Sequence, residues 1–310
     1  MRKVFTIFSF AVITVLCGAG QELPDFKISD NVNLVLLDVS VKDAHGSYVT
    51  DLKRNDFQVF DNGQPRSITH FSSIDTPVTV GLIVDNSGSM RAKRSEVVSS
   101  GLAFAKESNP QDEFFVINFN NTVVQSLPSR MPFTDNLQIL RNALHYGEPM
   151  GQTALYDAVA SGLKHLELSH RDKRTLVVVS DGGDNVSTTK FPDLLRLLET
   201  SRATIYTVGL YDPEDRNAHL TVLKKLSSVS GGKFFQPATV ADIAPVFSGI
   251  AKDIRNCYTL GYTPGDDNPN RNTHTVKVIA RENGRKLVVR TRTTYSMKSF
   301  SQSTGQEGHG

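Results

Sequence analysis

Asp85, Ser87, Ser89, Thr153 and Asp181 are the side chains of this 310-residue sequence best suited to chemistry, and the chemistry they suit is holding one hard divalent cation. Ser87, Ser89 and Thr153 offer compact neutral hydroxyls, and Asp85 and Asp181 offer negative charge. Mg²⁺ takes six oxygens in an octahedron at about 2.0–2.1 Å. If the hydroxyls bind directly and the carboxylates act mainly through water, the ion stays under-neutralised. It then keeps one position open for an anionic oxygen, which an aspartate or glutamate of another protein can supply. Such a site holds a carboxylate better than it generates hydroxide. No histidine lies in these segments, which argues against zinc. Mn²⁺ is expected to substitute, and Ca²⁺ to do so poorly in a tight octahedral site.

The five residues are spread over nearly a hundred positions, so only a fold can gather them. Asp85-Asn86-Ser87-Gly88-Ser89 follows the apolar run at 78–84, and Asp181 follows the run at 175–180. Short β-branched runs bounded by Gly read as buried parallel strands. In a doubly wound sheet, ligands collect beyond the carboxyl ends of the strands, where neighbouring strands send their helices to opposite faces. Both aspartates fall at such ends.

From residue 78 to about 256, strand and helix patterns alternate, which predicts a mainly parallel six-strand α/β sheet. Strands are expected at 78–84, 113–118, 122–127, 175–180, 204–208 and 233–236. Helices are expected at 91–107, from a Thr134-Asp135 cap to Gly147, at 154–168, at 191–200, at 218–229, and up to Asn256 with Pro245 in the first turn. The flanks carry strand patterns instead. Residues 32–42 alternate, with Val35, Leu37, Val39 and Val41 on one face and a polar, partly solvated face of Asp38, Ser40 and Lys42; Leu34 and Leu36 make the first half apolar on both faces. Residues 57–60 and 66–71 flank Asp61-Asn62-Gly63 as a hairpin, and 273–280 and 286–293 flank Asn283-Gly284 in the same way. Another strand is expected at 258–262. Neither flank alone has enough strands for a stable core. Both leave the α/β part at the face opposite the site, so they are predicted to fold together as one β-sandwich. The organisation expected is a signal peptide at 1–20, sandwich at 21–75, α/β domain at 76–256, sandwich again at 257–297, and a disordered Gly-, Ser- and Gln-rich tail at 298–310.

The export signal is read from Arg2 and Lys3, the apolar stretch at 4–16, and small residues at 17–20. That stretch is shorter than the ~20 residues a spanning helix needs. Removing it takes Arg2 and Lys3 from 34 basic residues, leaving 32 against 32 acidic ones. A balanced chain of this kind offers no field for nucleic acid or anionic lipid. Cys257 is the one cysteine left, so no internal disulfide can form, and its apolar surroundings mark it as a buried, inert thiol.

Each site residue also has a plain reading. Asp85, Ser87 and Ser89 can cap the next helix, Thr153 can cap the helix at 154, and Asp181-Gly182 can be a turn. What separates the readings is that all five stand at the right strand end or helix start together. Residues 76–256 also resemble the von Willebrand factor type A domain, whose metal-ion-dependent adhesion site uses Asp-x-Ser-x-Ser, a Thr and an Asp. Asp85-x-Ser87-x-Ser89 matches the first element. Gly151-Gln152-Thr153-Ala154-Leu155-Tyr156-Asp157 looks like the threonine segment, with Gln152 where Gly is frequent. Ser180-Asp181-Gly182 looks like the last. The flanks, with 56–63 and 258–262, are similar to an exported bacterial subfamily first recognised in Acidobacteria. The resemblance implies Mg²⁺-dependent protein binding in the periplasm, on the envelope or outside the cell, and no enzymatic activity. A metal-dependent hydrolase and a module with a purely stabilising metal are the alternatives. Against the hydrolase, the sequence has no phosphate loop or Gly-x-Ser-x-Gly turn in context, and His145 and His165 read as surface or packing residues.

Overall fold

The computed structural model describes residues 34–73, 75–210, 219–265 and 272–297. The predicted signal at 1–20 and tail at 298–310 lie outside the described residues. In chain order the elements are β1 (Val35–Lys42), β2 (Phe57–Asp61), β3 (Gln64–Arg66), β4 (Ile68–Ser72), β5 (Val78–Asp85), α1 (Arg94–Glu107), β6 (Glu113–Phe119), β7 (Val123–Gln125), α2 (Leu137–Leu144) and α3 (Leu155–His165). They continue with β8 (Lys173–Ser180), α4 (Phe191–Thr200), β9 (Thr204–Gly209), α5 (Leu220–Ser230), β10 (Phe234–Phe235), α6 (Ile243–Arg255), β11 (Cys257–Tyr262), β12 (Thr273–Glu282), β13 (Arg285–Lys286), β14 (Val288–Arg290) and β15 (Thr294–Ser296).

The central sheet has the order β10-β9-β8-β5-β6-β7, parallel except for β7 at one edge. Its strands are apolar on both sides because helices cover both. Val80, Leu82, Val84, Val177 and Val179 face one layer, where α1, α2 and α6 bring Val97, Phe104, Leu144, Phe247 and Ile250. Ile83, Ile117, Leu176, Val178 and Ile205 face the other, against Leu155, Leu163, Leu194, Leu198 and Leu226 of α3, α4 and α5. Each such Leu, Ile or Phe contributes about 1.5–3 kcal/mol by leaving water. Gly81 allows close packing inside the sheet: a Cβ there would sit 2.3 Å from the Phe115 ring.

The flanks form two antiparallel sheets, β14-β1-β11-β4 and β13-β12-β2-β3, with β15 also pairing β12. Leu37, Val39, Leu260 and Tyr262 of the first sheet share one core with Phe57, Val59, Val276 and Val278 of the second. The N-terminal and C-terminal flanks thus make one sandwich, as expected. Asn62-Gly63 and Asn283-Gly284 all have positive φ (52°, 80°, 47° and 81°), the conformation that tight hairpin turns require.

Several expectations need correction. Residues 66–71 are not one strand: β3 ends at Arg66, and β4 begins at Ile68 in the other sheet. Residues 286–293 divide likewise between β13 and β14, and β15 was not foreseen. A chain that turns a sandwich corner gives each half to a different sheet. The polar face of β1 is partly solvated at Asp38 and Lys42, which are half-buried, but not at Ser40. Ser40 is 3% exposed and donates to Asp253 on α6, because that face meets the α/β part. The cap of α2 is Asn136, whose Oδ1 accepts from Gln138 N and Ile139 N, while Thr134 is held in a bridge to Phe114. α1 starts three residues late, after a 3-10 turn at Gly88–Met90, and α3 gives way to another at Leu166–Leu168.

Candidate metal centre

β5 and β8 are parallel neighbours with Val84 opposite Val179, so Asp85 and Ser180 end their strands side by side. Ser180 Oγ donates to Asp85 Oδ2 at 2.6 Å and accepts from Gly182 N at 3.0 Å. Each aspartate also shapes its own loop: Asp85 Oδ1 accepts from Ser87 N at 2.8 Å, and Asp181 Oδ1 from Gly183 N at 3.0 Å. The second oxygen of Asp181 reaches across. Ser89 donates to Asp181 Oδ2 at 2.6 Å, and Ser87 Oγ lies 3.2 Å from Ser89 Oγ.

Thr153 joins by a different route. Gly88 N donates to Gly151 O at 3.2 Å, and Asn185 grips the Thr153 backbone from both sides, accepting from Thr153 N at 2.9 Å and donating to Thr153 O at 3.0 Å. Ser87, Ser89 and Asp181 are therefore in direct side-chain contact, Asp85 is linked to them through Ser87 N and Ser180, and Thr153 is set between the two aspartate loops by backbone bonds.

The plain readings fare poorly. Ser87 precedes the 3-10 turn without capping it, α1 is preceded by Lys93, and the N-cap of α3 is Ala154, none with a side-chain cap hydrogen bond. The turn reading of Asp181 accounts for one of its oxygens only.

The site is electrostatically unbalanced. Asp85 is 0% exposed and Asp181 2% exposed. Burial pushes the Asp85 carboxyl up to about 6, the charge of Asp181 adds to the rise, and hydrogen bonds from Ser180 and Ser87 pull the other way. Among the described residues, no Lys, Arg or His forms an ion pair with either carboxylate. Arg94 feels the Asp85 charge, but its Nη2 is engaged by Asn118 Oδ1, Leu144 O and Tyr146 O. Two buried like charges without a partner cation are costly on their own, and a divalent cation, if held by the adjacent hydroxyls, would remove that cost. The residues fit Mg²⁺ in charge, hardness and donor type.

Sequence reasoning missed the residues that hold these in place. Ser180 is one; the two strands each ending in a polar residue is its only trace, and register is not written in a single strand. Asn185 and Asn121 are others: Asn121 Oδ1 accepts from Gln152 N at 2.8 Å, which fixes the loop at the departure Gln152. Asp157 Oδ2 and Oδ1 accept from Thr188 N and Thr189 N, both at 2.8 Å, tying α3 to the loop after Asp181.

Residues 80–183 match the family model described as von Willebrand factor type A domain. Among solved structures, a von Willebrand factor type A protein from Catenulispora acidiphila aligns with a TM-score of 0.53 at 12% identity, over 78% of this chain and 73% of that one. The vWF domain of the type V pili tip protein Mfa5 from Porphyromonas gingivalis aligns with a TM-score of 0.47 at 16% identity, over 58% of this chain and 96% of that one. The PilB minor pilin from Streptococcus sanguinis gives 0.47 at 12% identity, over 59% and 62%. No curated protein sequence matches the chain. The family match at 80–183 thus falls inside the α/β part, whose fold is that of the von Willebrand factor type A protein from Catenulispora acidiphila.

Proposed function

We propose that this chain is a protein-interaction module that binds Mg²⁺ through Asp85, Ser87, Ser89, Thr153 and Asp181 and engages an acidic side chain of a partner protein. The observation that carries the reading is the buried pair Asp85 and Asp181, with hydroxyls gathered against Asp181 and no counter-cation among the described residues. When bound, the cation supplies an open position to an incoming carboxylate oxygen. Ser89 points its O–H at Asp181, which leaves the lone pairs of its oxygen to face a cation. Ser89 stands exposed at the mouth, while Ser87 and Thr153 are buried beneath it. Mn²⁺ should replace Mg²⁺.

The module is read as non-enzymatic. Ser87 and Ser89 bond to each other and to Asp181 rather than to a histidine, so neither has a base to activate it. The basic and apolar start of the chain, together with the likeness of the flanks to an exported subfamily, supports a place in the periplasm, on the envelope or outside the cell. Among the described residues no helix is long and apolar enough to cross a membrane.

Calorimetry of chelator-stripped protein with MgCl₂ is the test. One equivalent should bind to the wild type, and Thr153→Ala should lose that binding while keeping its far-UV circular dichroism. A wild type that takes up neither Mg²⁺ nor Mn²⁺ rules the reading out.

A further inference from the structure

The loop joining α2 to α3 carries an unusual pair of side chains. Among the described residues six large apolar side chains are exposed, and two of them, Tyr146 at 54% and Met150 at 58%, stand in this one loop. Both are fastened to Asn86, the residue between Asp85 and Ser87. Met150 N donates to Asn86 O at 3.0 Å, and Asn86 Nδ2 donates to Tyr146 O at 3.4 Å. Arg94 Nη2 also reaches Tyr146 O at 3.4 Å, and Arg91 Nη2 donates to Pro149 O at 3.1 Å. Gly147 and Gly151 turn the backbone with φ of 80° and 78°. At Gly151 nothing larger is tolerated, since a Cβ would lie 1.9 Å from Asn121 Oδ1.

The segment from Tyr146 to Met150 is thus anchored at both ends to the loop that supplies three of the metal-site residues. An exposed loop normally carries small or polar residues at its tip. Here a tyrosine and a methionine are kept in water on a fixed backbone. Aromatic side chains in such settings dominate interface energies, and methionine adapts its shape to varied apolar neighbours. A backbone already ordered by hydrogen bonds removes part of the entropy cost of binding.

We infer that Tyr146 and Met150 form an apolar rim to the metal centre that selects partners whose acidic residue is flanked by an aliphatic or aromatic side chain. The inference rests on the metal-dependent reading above. The carboxylate satisfies the cation, the neighbouring apolar side chain covers Tyr146 and Met150, and neither contact alone defines the partner.

Selection of a random dodecapeptide phage library on the full chain, in MgCl₂, tests it directly. Peptides enriched on the wild type should hold Asp or Glu with a Leu, Ile, Met, Phe, Tyr or Trp within two positions. Synthetic versions should bind on the order of tenfold more tightly than the same peptides with Gly at the apolar position. The double variant Tyr146→Ser/Met150→Ser should retain acidic peptides and lose that apolar preference. The anchoring bonds come from the backbone, so its melting temperature should stay at the wild-type value. A wild-type selection without apolar enrichment, an empty one included, overturns the rim, as does a preference that survives in the double variant. Calorimetric Mg²⁺ uptake measured in parallel separates the two failures. Uptake without apolar enrichment removes the rim and leaves the centre; no uptake removes the centre, and the rim with it.

Discussion

Buried carboxylates stand at both ends of the central sheet, and they are treated oppositely. At the carboxyl ends of β5 and β8, Asp85 and Asp181 face each other across a few hydroxyls with no ion-pair partner among the described residues. At the far end, Asp253 on α6 accepts from Ser40 of β1, Tyr48, Tyr206 of β9 and Arg290 of β14. Burial raises the Asp253 carboxyl, but the Arg290 charge and the hydrogen bonds from Tyr206 and Tyr48 outweigh it and hold it below the usual carboxylate range. Around it, Lys173 donates to Cys257 O and Arg292 to Ala203 O, so the seam between sheet and sandwich is closed by charged groups of both parts. One aspartate is completely answered by protein and serves architecture. The other pair has no ion-pair partner among the described residues, and the proposed cation would supply one.

The contrast is easiest to break by substitution at Asp253. Asp253→Ala strands the Arg290 guanidinium and the Tyr206 hydroxyl in a buried seam, and loss of one partner from such a network costs about 3–5 kcal/mol. Urea denaturation should register that loss; a change under about 1 kcal/mol means the seam is held by something else. Acid should act on the same residue more gently. Because the folded-state pKa is depressed, the contribution is whole above the unfolded value of about 3.9 and fades as pH falls through the folded value. Denaturation curves between pH 5 and pH 2 should therefore show the wild type losing stability more steeply than Asp253→Asn.

At the opposite end the sign differs. In chelator at neutral pH, Asp85→Asn should leave stability within about 1 kcal/mol of wild type or above it, since the charge removed was repelled by Asp181, yet it should abolish Mg²⁺ uptake. A loss as large as that of Asp253→Ala would erase the distinction drawn here. The smallest effect concerns Cys257, whose thiol is pushed up to about 12 by burial and by the charges of Asp253 and Asp38. Iodoacetamide at pH 8, mapped by mass spectrometry, should spare Cys257 in the native chain and modify it in urea. Native-state labelling would show that the seam opens.

What could be read from the sequence was local. Asn62-Gly63 and Asn283-Gly284 announce their hairpins because only such pairs adopt positive φ cheaply. The six central strands were legible because apolar runs of that length, punctuated by Gly and Asp, admit little else, and Asp85, Ser87, Ser89 and Asp181 came with them. Thr153 was picked out from its own segment, whereas Asn185 and Asn121, which hold that segment's backbone, were not. Their role is to receive backbone N–H groups from distant loops, and nothing in their own surroundings advertises it. The same holds for the sheet changes near Ser67 and Leu287. Alternation persists on either side of each, and which sheet a strand joins is decided by the opposite flank. Ser40 was misread for a related reason: a polar face can meet water or a polar seam, and the pattern is identical.

The pairing of β1 with β11 and of β2 with β12 has a consequence for how the chain assembles. Val39 meets Tyr258, and Val59 meets Val278, across more than two hundred residues of intervening chain. A ribosome therefore releases β1, β2 and β4 long before β11, β12 and β14, with which they pair, exist. Contacts within the α/β part are far more local and close quickly. Once that part has folded, it brings Val78 and Arg255 to the same end of the sheet and shortens the remaining search to a few residues. The α/β part thus acts as the splint on which its own pedestal is built, and until it folds the early strands are exposed edges open to mispairing.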